Sequence, residues 1–135
     1  MVRSKWFVCL VGVCALAAGF GLRSAVGQQS PPMENKGLDA KIESTIDLGP
    51  DFPGYQLRLR TITFEPGGVA GFHSHKDRPE VVYILQGKII DHRGDVAKEY
   101  GPGDSFTADK NTTHWMENKG PVPAVLLVST IAKKE

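Results

Sequence analysis

The chain has 135 residues, of which 16 are basic and 15 acidic, for a formal net charge of +1. This length supports one domain with one modest hydrophobic core. No basic run precedes the two lysines near the C-terminus, so charge and composition argue against nucleic-acid binding.

Residues 1–27 are typical of a signal peptide. Arg3 and Lys5 form a basic start, residues 6–22 are apolar and uncharged, and Ala25-Val26-Gly27 is a small-x-small cleavage site. The apolar stretch is short for a membrane span, although an uncleaved anchor is the alternative. We therefore predict a periplasmic or secreted protein that has no membrane association after cleavage. Both cysteines lie in this segment, so the mature chain would form no disulfide.

Residues 28–54 predict an N-terminal lead-in followed by a first strand or helix. Residues 28–37 are rich in Gln, Ser, Pro, Asn and Gly and indicate a flexible segment. The apolar positions within residues 38–48 fit either a short helix or an edge strand. Residues 49–54 contain prolines and glycines that predict a turn.

Residues 55–131 show a β pattern and form the predicted main domain. Short runs rich in β-branched and aromatic residues alternate with turns, the first of which falls at residues 66–68. The runs cover residues 55–65, 81–85, 88–92, 96–100, 105–107, 112–117 and 122–131. Many short strands at regular spacing predict an all-β sandwich or barrel and not a parallel α/β sheet.

Three of the four histidines fall in a pattern that indicates a metal site. His73 and His75 would share one face of a strand, because side chains two residues apart point the same way. Residues 76–79 predict a hairpin loop, which brings Glu80 beside them from the next strand. With His114 these side chains suit a divalent transition metal such as Fe, Mn, Cu, Ni or Zn. A solvated histidine beside an acid is the alternative.

This pattern resembles the cupin family. Residues 67–87 match every fixed position of its first motif, in which glycines flank a His-x-His pair and a glutamate. Residues 103–118 match the second motif except that Asp109 replaces a proline and Asn111 a glycine. Asp suits turns, and Asn best replaces glycine where φ is positive. The resemblance implies a double-stranded β-helix, or jelly-roll barrel, and a metal bound by His73, His75, Glu80 and His114.

Strand alternation assigns further side chains to the inside of this barrel. If Glu80 points inward, so do Val82 and Ile84, and Met116 follows His114. The resulting cavity would suit a small, partly apolar ligand. Tyr83 and Trp115 would point outward, into a subunit interface or under a loop or an N-terminal strand. The resemblance implies that dimers are common, so a homodimer is expected.

Arg58 and Arg60 lie two residues apart on one predicted strand. Inside the barrel, an arginine there could clamp a substrate carboxylate. A solvated outer face is the favoured interpretation, because Leu57 and Leu59 would then fill the core. His92 lies outside both motifs, and we expect it at the surface.

The pattern supports two classes of function. A metal with open positions could activate oxygen if it is a redox metal, or act as a Lewis acid in an isomerase or lyase that also needs a general base. Glu80 is the candidate catalytic residue, because the sequence places no second His or Glu nearby. This favours oxidative, dioxygenase-like chemistry on a small-molecule substrate. A non-catalytic protein that binds metal or a small ligand is the alternative.

Overall fold

The computed structural model describes residues 30–134, which form eight strands and one turn of 3-10 helix at Gly49–Asp51. The predicted signal peptide lies outside these residues, and none of the described segments forms a helix long and apolar enough to cross a membrane. The strands are β1 (Lys36–Asp47), β2 (Tyr55–Ser74), β3 (Glu80–Gln86), β4 (Ile89–Arg93), β5 (Val96–Tyr100), β6 (Ser105–Ala108), β7 (Thr113–Glu117) and β8 (Ala124–Lys133).

The strands form one antiparallel sheet that curls into a nearly closed barrel. Their order is β5-β4-β7-β2-β8-β3-β6, and β1 pairs with β2 outside this path. β2 is the central element, because its first half pairs with β1 and β8 and its last residues pair with β7. The architecture is the predicted all-β jelly roll.

A bend in β2 lets this single strand change partners. The turn expected at residues 66–68 is instead a bend inside the strand, where Gly67 has a φ of 77° that favours glycine. Beyond it, β2 leaves β8 and pairs with β7. Gly67 N–H donates to the carbonyl of Asn118 at 2.9 Å, and Asn118 N–H donates to that of Gly68 at 2.9 Å.

Asn118 holds this bend against the β7–β8 connection. Its side chain is fully buried, and its amide Nδ2 donates to the carbonyls of Phe64 at 3.0 Å and Val122 at 2.8 Å. Its Oδ1 accepts from Gly120 N–H at 2.9 Å. The second motif therefore supplies a structural staple in addition to its histidine.

The barrel interior follows the predicted alternation. On β3, Glu80, Val82 and Ile84 are buried, while Tyr83 on the opposite face is 45% exposed. Met116 on β7 is buried as expected. The hydrophobic core consists of Phe64, Ala70, Val82, Ile84, Ile89, Phe106, Met116, Ala124, Leu126 and Val128.

The N-terminal region differs from the expected flexible segment. Residues 38–47 belong to a strand rather than a helix, because β1 pairs along the edge of β2. Before it, the carbonyl of Pro32 accepts from Phe72 N–H at 2.6 Å, and Asn35 Oδ1 accepts from Gly71 N–H at 2.9 Å. The lead-in is therefore bonded to β2 and not free of the barrel.

The turn before β7 explains how the second motif tolerates its two departures. The Asp109 carboxylate accepts from the backbone N–H of Asn111 at 2.9 Å and from the Thr112 hydroxyl at 2.9 Å. Every positive φ in residues 30–134 belongs to a glycine. The idea that Asn111 supplies a positive φ is therefore wrong. Hydrogen bonds donated to the Asp109 carboxylate close the turn instead.

Replacing Asn118 with alanine should lower the free energy of unfolding by about 2–4 kcal/mol, because two or more buried carbonyls lose their donor. Urea unfolding followed by circular dichroism would measure the loss. Asn111→Ala, at an exposed turn, is the control and should change stability by roughly 0.5 kcal/mol at most. A similar small change for Asn118→Ala would contradict the staple.

Candidate metal centre

The barrel brings three predicted ligands into contact. His73, near the end of β2, pairs in register with His114 on β7, and His75 follows directly after β2. The Nε2 atom of His75 lies 3.0 Å from that of His73 and 2.9 Å from that of His114. His75 and His114 are fully buried, and His73 is half-buried. These three histidines could hold one metal ion.

Hydrogen bonds at Nδ1 of each ring determine whether its Nε2 atom carries a proton or a lone pair. Nδ1 of His73 lies 2.7 Å from the Gly71 carbonyl, and Nδ1 of His75 lies 3.1 Å from the Arg78 carbonyl. Nδ1 of His114 lies 2.7 Å from Oδ1 of Asp91. Because these oxygens accept, the ring protons belong on Nδ1, and each Nε2 of a neutral ring is a bare lone pair.

Three lone pairs about 3 Å apart repel one another unless a cation lies between them. Burial lowers the pKa of His73, and it lowers that of His75 to about 4, so a proton is a poor cation for this site at neutral pH. Two nitrogens that bind one ion at about 2.1 Å and at right angles lie about 3.0 Å apart, close to the observed separations. The donor set therefore fits a transition metal.

Glu80 lies beside the three histidines, but farther from His75 than the other two histidines do. Its Oε1 lies 3.8 Å from His75 Nε2, and its Oε2 accepts from the Arg60 guanidinium at 3.3 Å. Burial raises the pKa of Glu80, although the positive charge of Arg60 acts in the opposite direction. The carboxylate thus faces the histidines with one oxygen and an arginine with the other.

Asp91 is the supporting residue that the sequence analysis missed. Its buried carboxylate accepts from His114 Nδ1 through one oxygen and from Arg93 Nε, at 2.8 Å, through the other. Burial opposes ionisation of Asp91, but the hydrogen bond and charge of His114 together with Arg93 outweigh it and lower its pKa. A carboxylate behind a ligating imidazole fixes its tautomer and orientation. The available signal was an acid directly after Ile89 and Ile90 in the predicted strand 88–92.

The position of Arg60 contradicts the predicted assignment of the inner and outer faces of its strand. It lines a cavity of about 320 Å³ beside the histidines, and its side chain is only 15% exposed, whereas Leu57 is 39% exposed. The favoured outer-face position is therefore wrong for Arg60, because Glu80 gives its guanidinium an inward partner. Arg58, on the same face, is half-buried. The cavity is also lined by Asn35, Leu38, Ala40, Ile62, Phe64, Ala70, His73, His75, Arg78, Glu80 and Met116.

His92 and Trp115 lie on the outer face, away from the three clustered histidines. Their rings stack with centroids 3.6 Å apart, and His92 Nε2 lies 2.8 Å from the Glu117 carboxylate. They line a second cavity of about 620 Å³ together with Phe72 and Pro31. His92 is thus outside the candidate metal centre, as expected.

Removing metal should make the stability of the protein fall in mildly acidic solution. The folded pKa of His75 is about 4 against an ordinary value of 6.5, so the unfolded chain takes up this proton first as the pH falls. The free energy of unfolding of metal-free protein should drop by roughly 3 kcal/mol between these pH values because of His75. His75→Asn should remove this part of the decrease in urea titrations. The control variant His92→Asn should retain the full decrease. If His75→Asn and the unaltered protein show the same dependence of stability on pH, His75 is not the cause of the decrease.

Asp91→Asn should weaken metal binding about 10- to 100-fold without unfolding the barrel, because an amide holds the His114 tautomer less firmly. Competition with a chromogenic chelator would measure the affinity. Asp39→Asn, at an exposed position of β1, is the matched control and should bind metal like the unaltered chain. Equal affinities for both variants would show that Asp91 does not support the centre.

Comparisons with known proteins identify the family of this chain. The family model of the cupin domain matches residues 60–130. The auxin-binding protein ABP19b of Prunus persica is 32% identical over 99 residues, which cover 66% of this chain and 46% of that protein. The chain therefore spans about half the length of the curated relatives it matches.

Solved structures share the barrel. The polyketide cyclase RemF from Streptomyces resistomycificus superposes with a TM-score of 0.61 at 20% identity, covering 76% of this chain and 70% of that chain. An oxalate oxidase in complex with glycolate gives a TM-score of 0.55 at 19% identity, covering 72% of this chain and 55% of that chain. These two likenesses establish the fold alone. Because the family model covers more than half of its residues, the chain belongs to the cupin family.

Proposed function

We propose that this cupin is an exported metalloenzyme that carries out oxidative, dioxygenase-like chemistry on a small molecule. His73, His75, Glu80 and His114 would hold one divalent transition metal ion, of which iron, manganese and copper are the redox candidates. The observation that carries the proposal is the meeting of three histidine Nε2 atoms, with separations of 2.9 and 3.0 Å, beside a ligand-sized cavity.

When bound, the metal would supply Lewis acidity and, for a redox metal, electron exchange with oxygen. The protein residues would perform the remaining tasks. The Gly71 and Arg78 carbonyls and the Asp91 carboxylate orient the imidazole rings, and apolar side chains line one side of the cavity where a substrate would bind. Glu80 is the proposed catalytic residue, because it is the one carboxylate among residues 30–134 that lines the cavity, and its Oε1 faces the histidines.

The cavity supports turnover over simple metal storage. Met116 packs into the core at 4% exposure, yet about 320 Å³ remains open beside the histidines. Within residues 30–134, Glu80 is the one carboxylate that lines this cavity. Few acid–base groups are therefore at hand for an isomerase or lyase, which favours the oxidative proposal. The structural neighbours named as an oxalate oxidase and a polyketide cyclase indicate that this fold accommodates more than one kind of reaction.

The cellular setting in this proposal comes from the N-terminal sequence. The basic start, apolar stretch and cleavage site of residues 1–27 support a periplasmic or secreted protein. The partner would be a small-molecule substrate and not nucleic acid. A homodimer remains part of the proposal, supported by exposed apolar side chains such as Tyr83, Val81 and Leu85 on the outer face of β3.

Elemental analysis of protein purified without tags or chelators tests the metal centre. We expect close to one iron, manganese or copper ion per chain, and less than about a tenth of that in His75→Ala and Glu80→Ala, because each loses a ligand. His92→Ala, which alters a histidine outside the cluster, is the control and should keep its metal. Full metal content in both ligand variants would disprove the assigned site.

Oxygen consumption then separates enzyme from binding protein. Phenolic and diketone compounds would be screened with an oxygen electrode, using the Glu80→Ala protein as the negative control. Turnover by metal-loaded protein supports the oxidative proposal. A stoichiometric zinc or nickel content without oxygen consumption would instead favour the isomerase, lyase or binding alternatives.

A further inference from the structure

We propose that the cavity selects a small carboxylate with an apolar tail, and that Arg60 binds the carboxylate. This inference rests on the proposed function, since the same cavity would receive the substrate. It adds the chemical class of the ligand and the residue that recognises it. Three features of the cavity lead to it: the bonding state of Arg60, the balance of charges and the division between polar and apolar walls.

The Arg60 guanidinium has hydrogen-bond donors that the described part of the chain does not satisfy. Its side chain is 15% exposed, and its one hydrogen bond in the described chain is the 3.3 Å contact with Glu80 Oε2, longer than a typical charge-assisted bond. Its Nε is buried without a hydrogen-bond partner. A buried donor of this kind costs free energy unless a ligand or water accepts from it. The planar guanidinium is suited to bind a carboxylate through two parallel bonds.

The charges around the cavity also favour an anion. Among residues 30–134, Arg60 and Arg78 line it together with a single carboxylate, that of Glu80. Positive charge therefore exceeds negative charge even before a metal cation is counted. An anionic ligand head would reduce this excess, whereas a cationic ligand would be repelled.

The apolar side of the cavity determines the chemistry of the rest of the ligand. Leu38, Ile62, Phe64 and Met116 form an apolar side of the cavity, and Phe64 and Met116 belong to the core. A second charged group placed there would lose its hydration without a partner. The volume of about 320 Å³ lies at the small end for ligand sites, so the tail must be short.

The position of Arg60 also determines where the ligand head would lie relative to the candidate metal centre. Glu80 contacts Arg60 through Oε2 and faces His75 through Oε1, so one carboxylate separates the guanidinium from the histidines. A ligand head on Arg60 would therefore lie beside Glu80, close to the candidate metal centre.

Isothermal titration calorimetry with three probes tests this inference on full-length mature protein of measured metal content. Hexanoate carries both recognised features, hexanamide lacks the charge, and acetate lacks the tail. Hexanoate should bind at least about tenfold more tightly than either of the others, because charge-assisted bonds and buried methylene groups each contribute that much. Equal affinity for hexanoate and hexanamide would overturn the proposal.

Variants of Arg60 separate this residue from a metal that binds the carboxylate directly. Arg60→Gln should lose about tenfold or more in hexanoate affinity while keeping its metal, and Arg60→Lys should fall between the two. Arg58→Gln is the matched control, because Arg58 lies on the same face of β2 but does not line the cavity. Undiminished hexanoate binding by Arg60→Gln would assign the carboxylate to the metal and overturn our assignment.

The outcomes also distinguish this inference from the proposed function. Metal-loaded protein that binds none of the probes would overturn the carboxylate site and leave the metal centre intact. Protein that contains no metal yet prefers hexanoate through Arg60 would overturn the metalloenzyme and keep the carboxylate site. If circular dichroism shows that Arg60→Gln is unfolded, Arg60→Lys and the acid–amide comparison on the unaltered chain decide the question.

Discussion

The repulsion among three imidazole lone pairs is the constraint on which the rest of the site depends. Neutral rings with their protons on Nδ1 do not bind one another through Nε2, so the fold must hold them together by other means. It does so with the Gly71 and Arg78 carbonyls, the Asp91 carboxylate and the register that sets His73 opposite His114. The repulsion raises the free energy of the folded barrel, and a bound cation would remove this destabilisation.

Glu80 connects this cluster to the charged side of the cavity. A buried carboxylate is costly alone, and a buried arginine is equally so, but each lowers the cost of the other. Their 3.3 Å contact is weak enough to leave the guanidinium free for a further acceptor, because Nε has none. The candidate metal centre and the proposed carboxylate pocket are therefore neighbours that share Glu80.

The sequence predicted those parts of the site that depend on local periodicity. His73 and His75 share a face because strands repeat every two residues, and the hairpin brings Glu80 beside them. The same rule left Arg60 ambiguous, since Leu57 and Leu59 offered an equally regular inner face until the partner of Arg60 was known. β1 was equally undecided until its pairing with β2 was seen. Asp91 and Asn118 were not recognised as supports, because the contacts that matter most, with His114 and with Phe64, lie 23 and 54 positions away in the sequence.

Gly71 shows how closely the N-terminal segment and the metal centre are connected. Its carbonyl accepts from His73 Nδ1, while its N–H donates to Asn35, which itself lines the cavity. A Cβ at this position would lie 2.6 Å from the backbone of Met33, so only glycine permits the close approach. One residue without a side chain therefore both accepts a hydrogen bond from the ring of a candidate ligand and holds Asn35 at the cavity wall. The lead-in is consequently part of the site, although its composition alone resembles that of a linker.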